Sequence, residues 1–262
     1  MENLSIGYRT KKNRHAVATG INASLHGAEL TCLIGSNGIG KSTLLKTLSA
    51  FLSPLAGCIR IDGKDIADYT SSQLAKKIGV VLTGRPEPEN LTVEELAGMG
   101  RSPYTGFWGT LSAADSKIVD EALKKTGILH LKGRNIQTLS DGERQKVMIA
   151  KALAQQTSVI FLDEPTAFLD FPSKVEALLM LRQLAHSLGK TIFLSTHDVE
   201  LALQTADRVW LMDRDGLHVG SAQTLAKEQA LTRFLEQSHA TFDPQTLTLR
   251  VTEPEKDKSN QN

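Results

Sequence analysis

The chain has 262 residues, a formal net charge of +1, 40% apolar residues and 23% charged ones. That length suits one large domain or two modest ones, and the composition is that of a globular protein with ample core. The near balance of charge gives no bulk pull toward nucleic acid or an anionic membrane, so no nucleic-acid partner is expected.

Cys32 and Cys58 form neither a C-x-x-C pair nor a metal spacing, and Cys32 sits in an apolar run. A reduced, cytosolic setting fits. Met1 to Gly7 lacks the charged start and apolar stretch of a secretory signal. The apolar runs fall far short of the ~20 residues a spanning helix needs, so any membrane role is expected to come through a partner.

In chain order, strand candidates are Leu30–Ile34, Ile78–Leu82, Val159–Leu162, Thr191–Ser195 and Val209–Met212. All are continuous apolar runs, as strands buried on both faces should be. Helix candidates Lys41–Phe51, Ser173–Leu188 and Val199–Gln204 alternate with them. The alternation predicts an α/β fold with a mostly parallel sheet.

From about residue 84 to 156 the texture changes to capped helices, opened by Thr92-x-x-Glu95, Ser112-x-x-Asp115 and Ser140-x-x-Glu143. Leu91 and Leu96 add a hydrophobic staple around the first. This stretch reads as a helical subdomain inserted into the core. Residues 221–252 read as a helix-rich appendix, and 253–262 as a polar, frayed tail. Lys11, Lys12 and Arg14 read as a solvated loop.

"GSNGIGKST", Gly35 to Thr43, fits G-x-x-x-x-G-K-[ST] between an apolar strand and a helix. Gly35, Gly38 and Gly40 permit backbone that turns amides inward on phosphate oxygens, and the helix adds its positive end. Lys41 is placed to reach the β- and γ-phosphates, and Ser42 to hold Mg²⁺.

"VIFLDE" ends a buried strand in two acids, which are costly to bury unpaired. Beside a phosphate loop they have a use. Asp163 would hold Mg²⁺, usually through water, and Glu164 would orient or deprotonate the attacking water. "STHD" ends another apolar strand and brings His197 out at the same sheet edge, within reach of a γ-phosphate or Glu164.

"LSDGE", Leu139 to Glu143, admits two readings. It is a capping box that opens a helix, or it is a helix start aimed at a phosphate.

Together these pieces resemble the ATP-binding cassette family of nucleotide-binding subunits, over about Glu2 to Gly220. The resemblance implies a P-loop NTPase core of RecA-like type, a mostly parallel sheet with the inserted helical subdomain, and an N-terminal antiparallel β portion. It implies ATP and Mg²⁺. Tyr8 resembles the aromatic that stacks on adenine, while Gly35, Ser36, Asn37, Gly38, Ile39, Gly40, Lys41, Ser42 and Thr43 form the phosphate site. Leu139, Ser140, Asp141, Gly142 and Glu143 resemble the family signature, which faces the nucleotide of a second subunit in a head-to-tail homodimer. Asp170 closes the D-loop, and His197 matches the switch histidine.

"LTVEELAGMGRSPYTGFWGTLSAAD", Leu91 to Asp115, resembles the helical insert of importer ATPases serving iron chelates, haem or cobalamin. That implies polytopic permease subunits as partners, a substrate-binding protein acting indirectly, and a place on the inner face of the cell membrane. Phe107 and Trp108 are either subdomain core or part of the groove that a permease helix enters.

Three departures stand out. Thr83 occupies the place of a usual Mg²⁺-sensing Gln, where a water bridge or a carboxylate from Glu87 or Glu89 could substitute. Asp141 replaces a usual Gly, and Glu143 a usual Gln. Two rival functions remain on sequence grounds: a soluble, non-transport cassette ATPase, and a nucleotide-dependent regulator with weakened catalysis.

Overall fold

The computed structural model describes residues 1–9, 13–82, 90–106, 109–235 and 240–251. Two strands open the chain, β1 (Glu2–Arg9) and β2 (Arg14–Ile21), paired antiparallel. Leu4 and Ile6 of β1 are fully buried, Ser5 between them is half-buried, and Glu2, Asn3, Tyr8 and Arg9 are exposed. Such alternation marks a strand with one wet face. The register pairs Arg9 with Arg14, so Arg14 opens a strand instead of lying in the expected loop.

β3 (Leu30–Gly35) leads through the loop 36–40 into helix α1 (Lys41–Leu48). β4 (Ala56–Cys58) then pairs with β1, giving a three-stranded sheet in the order β2-β1-β4, which forms the N-terminal antiparallel β portion that the family resemblance implied. A short ribbon of β5 (Arg60–Ile61) and β6 (Lys64–Asp65) and the one-turn helix α2 (Ser71–Leu74) lead to β7 (Ile78–Val81).

The next stretch is helical: α3 (Val93–Gly98), α4 (Ala113–Lys125) and α5 (Asp141–Ala154). Each starts from a complete capping box, Thr92 with Glu95, Ser112 with Asp115, and Ser140 with Glu143. Their apolar faces (Val93, Leu96, Val119, Leu123, Val147, Leu153) join one buried cluster.

The chain then returns to the sheet with β8 (Val159–Asp163), α6 (Phe171–Leu188), β9 (Thr191–Ser195), α7 (Val199–Thr205), β10 (Arg208–Met212) and β11 (Leu217–Gly220). The six-stranded order is β11-β10-β3-β9-β8-β7, parallel except for β11 at one edge. Side chains alternate between two cores. Ile160, Leu162, Ile192, Leu194, Val209 and Leu211 point to the face covered by α6 and α7. Leu33, Phe161, Phe193 and Trp210 point to the face carrying α1 and the N-terminal strands. There Phe161, Phe193 and Trp210 pack edge to face, with ring centroids 5.8 and 5.0 Å apart. Burial on both faces explains why these strands read as unbroken apolar runs.

The appendix departs from expectation. α8 (Ala222–Lys227) and α9 (Ala230–Leu235) are helical, but β12 (Ala240–Asp243) and β13 (Thr248–Val251) form an antiparallel hairpin. Phe242 and Leu247 of that segment pack against the main core, so hydrophobic burial holds it to the domain. No helix among the described residues is long and apolar enough to cross a membrane.

Candidate functional site

Parallel strands deliver their carboxyl ends to one edge of the sheet, where α/β proteins bind ligands. Here that edge gathers the ends of β3, β9 and β8, with β9 between the other two. The loop from β3 to α1 winds through two left-handed glycines, Gly38 at φ +75° and Gly40 at φ +116°. A Cβ on Gly40 would come within 2.3 Å of Val17 Cγ1. Gly40 caps α1 without any side chain, and no acid occupies the helix's first turn. The opening amides of α1 are left for an anion.

Lys41 is buried, and its ammonium donates to the carbonyls of Gly35 (2.8 Å) and Ser36 (3.1 Å) across the loop. Burial pushes its pKa down, while Glu164 and Asp163 pull it back up. The Ser42 hydroxyl donates to Asp163 Oδ1 at 3.2 Å. Thr43 Oγ1 lies 3.0 Å from the Tyr8 hydroxyl, so the exposed Tyr8 ring is tied to the start of α1. Ser36 and Asn37 face solvent, and Ile39 is half-buried.

Across the site, Glu164 Oε1 lies 2.6 Å from His197 Nε2, and His197 Nδ1 lies 3.5 Å from Lys41 Nζ. Lys41, Ser42, Asp163, Glu164 and His197 therefore form one connected polar cluster at the mouth of the phosphate loop. Sequence reasoning overlooked a further member, Ser195, whose buried hydroxyl donates to Asp163 Oδ1 at 2.7 Å. The available signal was a serine closing an otherwise apolar strand just before His197.

The LSDGE stretch is a formed capping box. Glu143 Oε2 accepts from Ser140 N (2.8 Å) and Ser140 Oγ (3.1 Å), and Ser140 Oγ accepts from Glu143 N (3.2 Å). Hydrogen bonds from Ser140 hold the Glu143 carboxyl below its usual range. Asp141 meets Arg144, and Leu139 is buried. Gly142 faces Ser173 at the start of α6, where Asp170 caps the helix by accepting from Ser173 N at 3.0 Å. Signature and D-loop are thus neighbours on one side of the chain. Thr83, Glu87, Glu89, Phe107, Trp108, Lys11, Lys12 and the tail 253–262 lie outside the described residues.

The Arg101 side chain is a second surprise, because it joins three segments that are distant in sequence. It donates to Asp115 Oδ1 (2.9 Å), to the Ala154 carbonyl at the end of α5 (2.8 Å) and to Gln156 (3.0 Å). Its guanidinium also covers the Tyr104 ring at 4.1 Å.

A phosphate loop on a parallel sheet, with two acids and a histidine at the same edge, defines a P-loop nucleotide hydrolase. Comparison with known proteins narrows the class. Residues 18–167 match the family model described as ABC transporter. The ABC transporter ATP-binding protein MJ0873 of Methanocaldococcus jannaschii is 40% identical over 242 residues, covering 92% of this chain and 82% of that protein. The ferric enterobactin transport ATP-binding protein FepC of Escherichia coli is 35% identical, covering 90% and 84%. The dimeric structure of MJ0796, a bacterial ABC transporter cassette, superposes with a TM-score of 0.71 at 25% identity, covering 84% and 97%. The chain belongs to the ABC transporter family, and it is an ATP-binding, ATP-hydrolysing cassette of that family.

Proposed function

We propose that this cassette, residues 1–220, drives an importer for an iron-siderophore, haem or cobalamin type of substrate. In this reading it works as a head-to-tail homodimer on the inner face of the membrane, attached to polytopic permease subunits and served indirectly by a substrate-binding protein. The catalytic part rests on one observation, the 2.6 Å contact of Glu164 with His197 beside Lys41 and Asp163. The import part is supported by the likeness to the ferric enterobactin ATPase and by the Leu91–Asp115 segment.

Each residue then has a task. Amides at the open start of α1 take the β- and γ-phosphates, and Lys41 exchanges its carbonyl partners for phosphate oxygens. Tyr8 stacks on adenine. Ser42 and Asp163 are the residues that would hold Mg²⁺, and the 3.2 Å approach of hydroxyl and carboxylate at the loop mouth fits that ion's preference for oxygen ligands. A Mg²⁺ held by these two residues would supply positive charge against the phosphates. In this reading Thr83 is a further contributor to that metal, by its sequence position. Glu164 orients the attacking water, and His197 holds the Glu164 carboxylate in line. The second subunit's Leu139 to Glu143 closes over the nucleotide, with Asp170 at the junction.

Glu164→Gln is expected to lower turnover at least about 100-fold while ATP affinity stays within about threefold. With turnover blocked, ATP should convert Glu164→Gln protein to a dimer by light scattering, and adding Ser140→Arg should prevent this. An ATP-loaded monomer in Glu164→Gln would remove the homodimer from the reading. Copurification with a polytopic permease tests the transport role; stable recovery with ribosomes or DNA instead would sink it.

A further inference from the structure

We propose that Ser195 is a positioning residue for hydrolysis, one hydroxyl that sets both acids at the end of β8. The inference rests on the reading of Asp163 and Glu164 as the metal-holding and water-orienting groups. Its basis is the sheet. β9 lies between the phosphate-loop strand and β8, and the parallel register sets Ser195 directly beside Asp163.

A serine hydroxyl has one proton to give and lone pairs to receive with. Ser195 gives its proton to Asp163 Oδ1 at 2.7 Å and receives the backbone N–H of Glu164 at 3.0 Å. The side chain is fully buried at the end of the apolar run Ile192 to Leu194, where an unsatisfied hydroxyl would be costly. Here both capacities are used.

Each bond has a consequence. Asp163 Oδ1 collects two hydroxyls, from Ser195 and Ser42, which fixes the carboxylate plane against the phosphate loop. Glu164 has φ +46°, a left-handed conformation that non-glycine residues adopt only when their surroundings hold them there. The Ser195 hydroxyl is the anchor on its amide, and the resulting direction of the chain brings the carboxylate to His197. The adjacent Thr196 and His197 leave the same strand end, so β9 organises both sides of the water-orienting pair.

The test uses the full chain with Ser195→Ala and Ser195→Thr. Ser195→Ala should lower kcat about 10- to 100-fold, as small misplacements of reacting groups do, with KM for ATP within about threefold. Mn²⁺ bound to the protein–ATP complex, followed by EPR, should be held about three- to tenfold more weakly, while metal-free ATP binding stays unchanged. Ser195→Thr, which keeps the hydroxyl, should recover kcat and Mn²⁺ affinity to within about threefold of the parent. Parental kcat and Mn²⁺ affinity in Ser195→Ala overturn the inference, and so does a loss that the threonine fails to recover.

Should Ser195→Ala melt more than about 5 °C low, Ser195→Cys decides instead. It fills the site with a weaker donor and should show the same two shifts at reduced size; parental values there overturn the inference. Glu164→Gln separates the two levels. Full turnover in Glu164→Gln breaks the underlying reading. A dead Glu164→Gln beside a fully active Ser195→Ala breaks only the role of Ser195.

Discussion

Two helices in this chain carry the starts that the proposed function assigns to phosphates, and they begin in opposite ways. α1 starts from Gly40 with no capping side chain and no acid in its first turn. α5 starts from Ser140 with a complete capping box and with Asp141 and Glu143 in its first turn. The first four amides of any helix lack partners inside it. In α1 they are left for an incoming anion, whereas in α5 the chain's own side chains already answer part of that need. The first end is built to bind in the lone chain. The second is built to be stable alone and, to take a phosphate as proposed, would have to exchange internal bonds for external ones.

The contrast extends along the helices. α5 is also held at its far end, where Arg101 bonds the Ala154 carbonyl. α1 instead carries Lys41, folded back onto two loop carbonyls and giving up solvation to stay there. Lys41→Ala is therefore expected to have the largest effect on activity, lowering kcat/KM for ATP at least about 100-fold. Relief of the buried ammonium offsets the loss of its bonds to the Gly35 and Ser36 carbonyls, so the melting temperature should shift by no more than about 3 °C. An ATPase assay and a thermal melt check both halves. A Lys41→Ala protein that melts far below the parent would mean that the lysine serves the fold, and the contrast between the two ends would weaken.

The next test acts on the closed helix. Arg101 is almost wholly buried, and removing it strands the Ala154 carbonyl and Gln156 and takes a partner from Asp115. Asp115 keeps its bonds from Ser112, the first cause of its pKa of about 2, ahead of Arg101. Arg101→Ala should lower the melting temperature by about 5–10 °C, since breaking a buried pair from one side leaves polar groups unpaired. Basal ATP binding should survive, because Arg101 touches no group of the nucleotide cluster. An unchanged melt would show that α5 is not braced at its far end.

These residues also show what the sequence made legible. The phosphate loop, the two acids and His197 could be read because each chemistry is written in consecutive letters at a strand end. Arg101 was visible only as part of a family-like "GR.P" segment, since its partners lie 14, 53 and 55 residues away. Ser195 escaped for the same reason: its meaning depends on the register of β8 against β9. The β12–β13 hairpin was missed because short, half-buried strands carry little periodic signal. β1 and β2 were absent from the strand candidates because alternating strands do not form unbroken apolar runs.

The smallest expected effect probes the closed helix start itself. Glu143 accepts both the Ser140 amide and hydroxyl, and these bonds hold its pKa below the ordinary 4.5. A carboxyl whose folded pKa is depressed stabilises the fold above its ordinary value and loses that contribution as pH falls through the folded one. Glu143→Gln keeps an acceptor for the Ser140 amide but has no charge to lose. The parent should thus melt slightly above Glu143→Gln at neutral pH, by roughly 1–2 °C given the exposure of the site. The gap should close on acidification below about pH 4. ATP-driven dimerisation should move the other way. If this end faces a second subunit's phosphates, as proposed, removing a negative charge from it should raise ATP affinity for dimerisation about two- to fivefold. A pH-independent gap in melting, or weaker ATP-driven dimerisation in Glu143→Gln, would show that the acid helps the phosphate site, and that the two helix starts differ less in purpose than in capping.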